Sequence, residues 1–180
     1  MWILMIWEDK VTITVQICVI SIMVPKPKFV KNKTKQNCRA FFVPCSAHSL
    51  NLVLNDAANC CLEAVAFFDL IQCIYVFFSA SAHRWDILIE HIRDFTVKPL
   101  SSTRWESRVD AVRAIRFQIG EVYDALLAIA QDNTLTSASG VKSRAEAKAI
   151  AGKMVNFKFV CSLVVWYDIL FEINISSKFL

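Results

Sequence analysis

Glycine is scarce in this sequence, with three in 180 residues. That excludes chemistry that cradles a phosphate on a glycine-rich loop, because such loops need several glycines close together. No HExxH pair and no GxSxG elbow occurs either, so neither a zincin centre nor an α/β-hydrolase nucleophile is written here. Acidic residues are absent between Lys10 and Asn55. Charge of either sign is sparse, with 20% charged residues against 56% hydrophobic ones. A chain this apolar is not a disordered one. It is also more apolar than most self-contained soluble domains. Either part of it meets a membrane, or it is a piece of a core whose covering partners lie elsewhere.

Long uninterrupted apolar runs are also lacking. Residues 11–24 (VTITVQICVISIMV) are apolar, but a span needs ~20 residues, and Glu8, Asp9 and Lys10 separate the run from residues 1–7. The C-terminal apolar stretch, 157–180, carries Lys158, Asp168 and Glu172 within it, and charge at a bilayer centre is costly. No membrane partner is therefore expected. A secretory signal is not expected either, since the N-terminus has no basic region and acids interrupt its apolar part. The seven cysteines are odd in number and read as reduced intracellular thiols rather than a disulfide framework.

What the chain does have is an uneven distribution of base. The run PKPKFVKNKTKQNCR holds Lys26, Lys28, Lys31, Lys33, Lys35 and Arg39. It has no hydrophobic period and reads as an exposed linker. Such a run can contact phosphate or act as a nuclear address; a solvated loop is the equal alternative.

Residues 1–24 favour strand, and Pro25 and Pro27 end them. Residues 40–43 read as one buried strand closed by Pro44, and Ser46 can cap a helix through Leu50, Val53, Leu54, Ala57 and Ala58. Residues 62–78 are apolar on nearly every side, as in a buried helix or one lacking its partners. After a break at 79–81, Trp85, Leu88, Ile89 and Ile92 make a short amphipathic helix. Residues 99–103 form a loop, with Ser101, Ser102 or Thr103 as a cap. A single long helix is expected from Arg104 to Ala130, since Trp105, Val109, Val112, Ile115, Ile119, Val122, Leu126 and Ile129 recur by threes and fours. A polar loop at 132–140 precedes a last long helix over 142–171. Two early strands cannot make a stable sheet alone, which points to a truncated fragment.

Four local features carry possible chemistry. Cys45 and His48 form a CxxH pair, but a closed zinc site needs four ligands. The candidates Cys38, Cys60, Cys61, His83 and His91 give no second pair at ligand spacing, so no metal is expected. Arg84 and Trp85 could stack on a base, although Trp85 also fits the first core position of its helix. Arg104, Trp105 and Arg108 follow a flexible loop at a helix start, which suits phosphate contact and base stacking; a core tryptophan with solvated arginines is the plainer reading. Asp56, Glu63, Asp69, Asp86, Glu90 and Asp94 show no convergent spacing, whereas metal-dependent phosphoryl transfer needs carboxylates meeting at one point.

Taken in order, five segments resemble the hAT-type transposase domain found in zinc finger MYM-type proteins and other transposon-derived genes. They are 39–52 (RAFFVPCSAHSLNL), 77–81 (FFSAS), 84–88 (RWDIL), 100–108 (LSSTRWESR) and 165–171 (VWYDILF). The resemblance implies a mostly α protein with a small β part, a partial ribonuclease H-like α/β fold running into an all-helical insertion. It divides the chain into residues 1–36, unmatched and ending in the basic linker; 37–98, part of the ribonuclease H-like core; and 99–180, the start of the insertion. Cys45 and His48 then stand where the family's CxxH follows a central strand near the active site. Trp105, with Arg104 before it, stands where the family's tryptophan meets a flipped base, an arrangement that offsets the cost of unstacking.

The departures from the family matter as much. Its metal-binding acidic triad cannot be assigned: the region expected to hold the second Asp is PKPKFVKNKTK, without an acid. The expected function is a degenerate transposase-like fragment without catalysis or cofactor. Residual nucleic-acid binding would run through Arg104, Trp105, Arg108, Lys31, Lys33 and Lys35, in the nucleus, with DNA as the partner. The alternatives are a helical module that binds another protein chain through exposed apolar helices, and a relic with no selected function.

Overall fold

The computed structural model describes residues 56, 58, 59, 61–101 and 105–178. The expected strand at 40–43 and the Ser46 cap lie outside these residues. So do Lys31, Lys33, Lys35, Cys45, His48 and Arg104. The chain divides into two compact units, Met1–Leu62 with Ser176–Leu180, and Glu63–Ile175. Of the first, Asp56 and Ala58 are helical and the Asn59 N–H donates to the Asp56 carbonyl at 3.2 Å. The expected boundary between residues 98 and 99 falls inside the second unit.

The described part is mostly helical, with six helices and no strand among the described residues. They are α1 (Leu62–Ser79), α2 (Ala82–His91), α3 (Trp105–Arg116), α4 (Ile119–Gln131), α5 (Ala138–Met154) and α6 (Phe157–Ser177). α1 and α6 are long and apolar enough to cross a membrane by length and composition alone.

α1 buries Ala64, Phe67, Phe68, Leu70, Ile71, Ile74, Phe77 and Phe78. That face is wide because the apolar positions recur by threes and fours with few interruptions. Against it α6 sets Phe159 and Trp166. Phe67 lies 5.6 Å from Phe159, and Phe68 meets Trp166 edge-on at 4.9 Å between centroids. Edge-to-face pairs of this kind add about 0.5–1.5 kcal/mol beyond the area they bury.

α4 and α5 form a helical hairpin and are in extensive contact, as a short connection favours. Val122, Ala125, Leu126 and Ile129 supply the buried face of α4, and Ala147, Ile150, Ala151 and Met154 that of α5. Ser137 caps α5 by accepting from the Gly140 N–H at 3.1 Å. Arg144 reaches back to the Ala130 carbonyl at 3.3 Å and to Asn133 Oδ1 at 3.1 Å, tying down the end of α4. α2 and α3 pack on the same helix, α4.

Two expected helices are each two. The apolar stripe from Trp105 to Ile129 is continuous in sequence, yet the backbone leaves helical geometry at Gln118 (φ −142°, ψ 41°). The cause is tertiary: the buried Gln118 side chain is bonded to the backbone of Phe95 in both directions. The expected helix over 142–171 begins earlier, at Ala138, and breaks at Val155 and Asn156. Asn156 Oδ1 accepts from the Lys158 N–H at 2.9 Å, so it acts as the N-cap of a new helix.

Candidate nucleic-acid interface

Residues 92–101, between α2 and α3, have neither helix nor strand, so their polar groups need partners elsewhere. Ile92 and Val97 are buried and anchor the segment. The Leu100 N–H donates to Gln72 Oε1 of α1 at 2.8 Å. Gln118 holds Phe95, and the first two turns of α3 hold Lys98, Pro99 and Ser101. Ser107 Oγ donates to the Pro99 carbonyl at 3.0 Å, Arg108 Nε donates to the Ser101 carbonyl at 3.2 Å, and Lys98 pairs with Asp110 at 2.8 Å. The chain leading to Arg104 and Trp105 is thereby tied to the helix that Trp105 opens.

Arg108 lies 5.0 Å over the Phe68 ring, and Phe68 meets Trp166 on another side. Burial pulls the Arg108 guanidinium below its ordinary pKa range, but an arginine keeps its proton at neutral pH all the same. Arg108 is thus part of the packing as well as a cation, and its half-buried head leaves less surface for phosphate than the sequence suggested.

Further along α3 two more arginines lie over rings. Arg113 is exposed and lies 4.4 Å over Phe95. Arg116 lies 4.5 Å over Tyr167 and pairs with Asp168 at 2.5 Å. Phe117, 56% exposed, follows them. Four rings form a row here: Phe95 to Phe117 at 6.2 Å, Phe117 to Tyr167 at 5.3 Å and Tyr167 to Phe171 at 5.8 Å. The rings were not among the sequence candidates, although one signal for them exists: Phe117 stands off the stripe of Val112, Ile115 and Ile119.

The other sequence candidates have structural occupations. Arg84 lies 4.5 Å over Phe77, and Trp85 meets Tyr75 edge-on at 6.4 Å. His83 sits 3.8 Å from Asp132, and His91 Nδ1 donates to the Ile87 carbonyl at 2.7 Å. Asp56, Glu63, Asp69, Asp86, Glu90 and Asp94 are all exposed. No three His, Cys, Asp or Glu side chains are grouped to hold a metal among the described residues.

No family model, curated protein or solved structure matches this chain.

Proposed function

We propose that the chain is a non-catalytic segment of a hAT-type, transposase-derived protein, related to the ribonuclease H-like domain and its helical insertion, that binds nucleic acid in the nucleus. The observation that carries the binding is on α3, the helix that Trp105 opens: exposed Arg113 lies over the Phe95 ring, and exposed Phe117 follows it. Guanidinium groups neutralise phosphate, and exposed rings stack bases of any sequence at about 1–3 kcal/mol per base. Arg113 and Phe117 offer both on one exposed surface. The basic run with Lys31, Lys33 and Lys35 would add phosphate contacts.

The test is fluorescence anisotropy of the full chain with single-stranded and duplex oligonucleotides across a salt series. Sequence-independent binding that weakens steeply with salt is expected. Arg113→Ala should lower the salt slope by about one contact, and Phe117→Ala and Trp105→Ala should weaken single strands more than duplex. Absence of binding to either oligonucleotide at low salt would overturn the proposal.

A second reading, a module that pairs with another protein chain, is favoured by α6, an apolar helix of which only about a third is buried.

A further inference from the structure

Gln118 stands where α4 begins, and the Val122 N–H donates to its carbonyl at 3.1 Å, the bond that an N-cap residue accepts. An N-cap side chain ordinarily turns back on its own helix. The Gln118 side chain makes no such cap. It is 4% exposed and reaches Phe95 instead, whose N–H donates to Oε1 at 3.4 Å and whose carbonyl accepts from Nε2. Buried Ile92 and Val97 already anchor the segment on either side of Phe95. What the amide adds is orientation. A residue has only two soft backbone dihedrals, so holding both polar groups of Phe95 fixes the direction in which its ring leaves the chain.

That direction shapes the surface beside it. The half-buried Phe95 ring lies under Arg113 at 4.4 Å and 6.2 Å from the Phe117 ring. Phe117 directly precedes Gln118 and is 56% exposed. One buried amide therefore lies behind both rings: it is adjacent in sequence to one and bonded to the backbone of the other. Arg116, 5.6 Å over the Phe117 ring, is already paired with Asp168.

We infer that Gln118 is the positioning residue of this surface, holding the Phe95 ring beneath Arg113 and beside Phe117 so that the ring pair takes the unpaired bases of a single strand. The inference rests on the nucleic-acid reading above and names the form of nucleic acid that the rings select. Two observations favour a single strand over a duplex. Rings offer stacking faces, which a duplex base meets only after the cost of leaving its stack. Local charge is also partly cancelled, since Asp168 neutralises Arg116, and phosphate contacts are what hold a duplex. Gln118 is buried and acts through Phe95, so its loss should alter stacking and leave charge as it is.

The experiment is fluorescence anisotropy of the full chain with labelled oligothymidylate and with a labelled duplex, each across a salt series. Gln118→Leu removes both bonds. Phe95→Leu removes the ring and keeps both bonds, because they go to the backbone. A third chain combines the two changes. Each single change should raise the dissociation constant for the single strand about tenfold (about 1.4 kcal/mol), with duplex affinity and salt slope unchanged. The double variant should be no weaker than either single one, whereas independent losses would add. A purely structural Gln118 would lower stability and leave the single-strand affinity of the folded chain as it was; circular dichroism at the assay temperature identifies the folded chain. Equal losses on both probes, an altered salt slope, additive losses in the double variant, or a Phe95→Leu chain that binds the single strand as before would each overturn the inference. Should Gln118→Leu fail to fold, Gln118→Met, unbranched and of the same length, replaces it, and the Phe95→Leu result stands in either case. An unaltered chain that binds neither probe refutes the nucleic-acid reading itself, whereas binding that none of these changes affects refutes the positioning role alone.

Discussion

The side-chain amide of Gln118 engages both backbone polar groups of Phe95: the Phe95 N–H donates to Oε1, and Nε2 donates to the Phe95 carbonyl. Gln118 is 4% exposed, so water does not readily take its place. A Gln118→Leu chain would retain the volume and lose both bonds. Leaving buried backbone groups without partners costs about 1–3 kcal/mol. The denaturant midpoint should fall accordingly, with the slope of the transition unchanged.

Gly140 and Gly152 make a matched pair in one helix, α5. A Cβ at Gly140 would meet Leu135 Cβ at 2.9 Å and Leu135 backbone atoms at 3.0 Å; at Gly152 it would meet nothing within 4 Å. Gly152→Ala should therefore stabilise the protein by about 0.5–1 kcal/mol through helix propensity. Gly140→Ala should destabilise it by about 1–3 kcal/mol through crowding of a backbone that cannot yield easily. Thermal melts of the two variants should move in opposite directions.

Asp132 supplies the acid dependence. Its pKa is lowered from the ordinary carboxylate value, first by the Thr134 hydroxyl, then by the Thr134 N–H, with His83 adding to both. Oδ1 accepts from Thr134 Oγ1 at 2.6 Å and from its N–H at 2.8 Å. The folded state therefore holds this proton less tightly than the unfolded one. Its contribution to stability is complete above the ordinary carboxylate range and disappears as pH falls through the lowered folded value. Asp132→Asn should flatten that part of the stability–pH curve measured between about pH 5 and about pH 2, and an unchanged curve would refute the assignment.

Asn156 separates α5 from α6, and its carboxamide caps α6 at the Lys158 N–H. Asn156→Ala should cost about 1 kcal/mol, the usual loss for an N-cap. Hydrogen exchange should quicken at the start of α6 while α5 is unaffected.

The two breaks show what sequence could and could not reveal. Asn156, ahead of a fresh apolar run, is a local cap signal, but Ile150, Met154, Phe157 and Cys161 hold helical spacing across it and mask the break. Gln118 carries no such signal. It is a good helix former within an unbroken stripe, and it leaves the helix only because Phe95, 23 residues earlier, needs its amide. α1 is legible in apolarity on nearly every side, and α2 in the spacing of Trp85, Leu88, Ile89 and Ile92. The row of Phe95, Phe117, Tyr167 and Phe171 was hidden for the same reason as the Gln118 break, since its members come from three separate segments. Trp105, by contrast, announced the start of α3 through the polar loop before it.

The segment between α2 and α3 is clamped by two glutamines from different helices, Gln118 at Phe95 and Gln72 at Leu100. Neither clamp belongs to a repeating ladder, so the segment cannot slip by one residue and find equivalent bonds. It behaves as a ruler cut to length. Adding or deleting one residue between Phe95 and Leu100 would put one clamp out of reach and shift the start of α3, and Trp105 with it. The loop at 132–136 is fastened differently, by Arg144 at Asn133 and by Asp132 at its near neighbour Thr134. Length variation in this protein is therefore expected to be rare between the two glutamines.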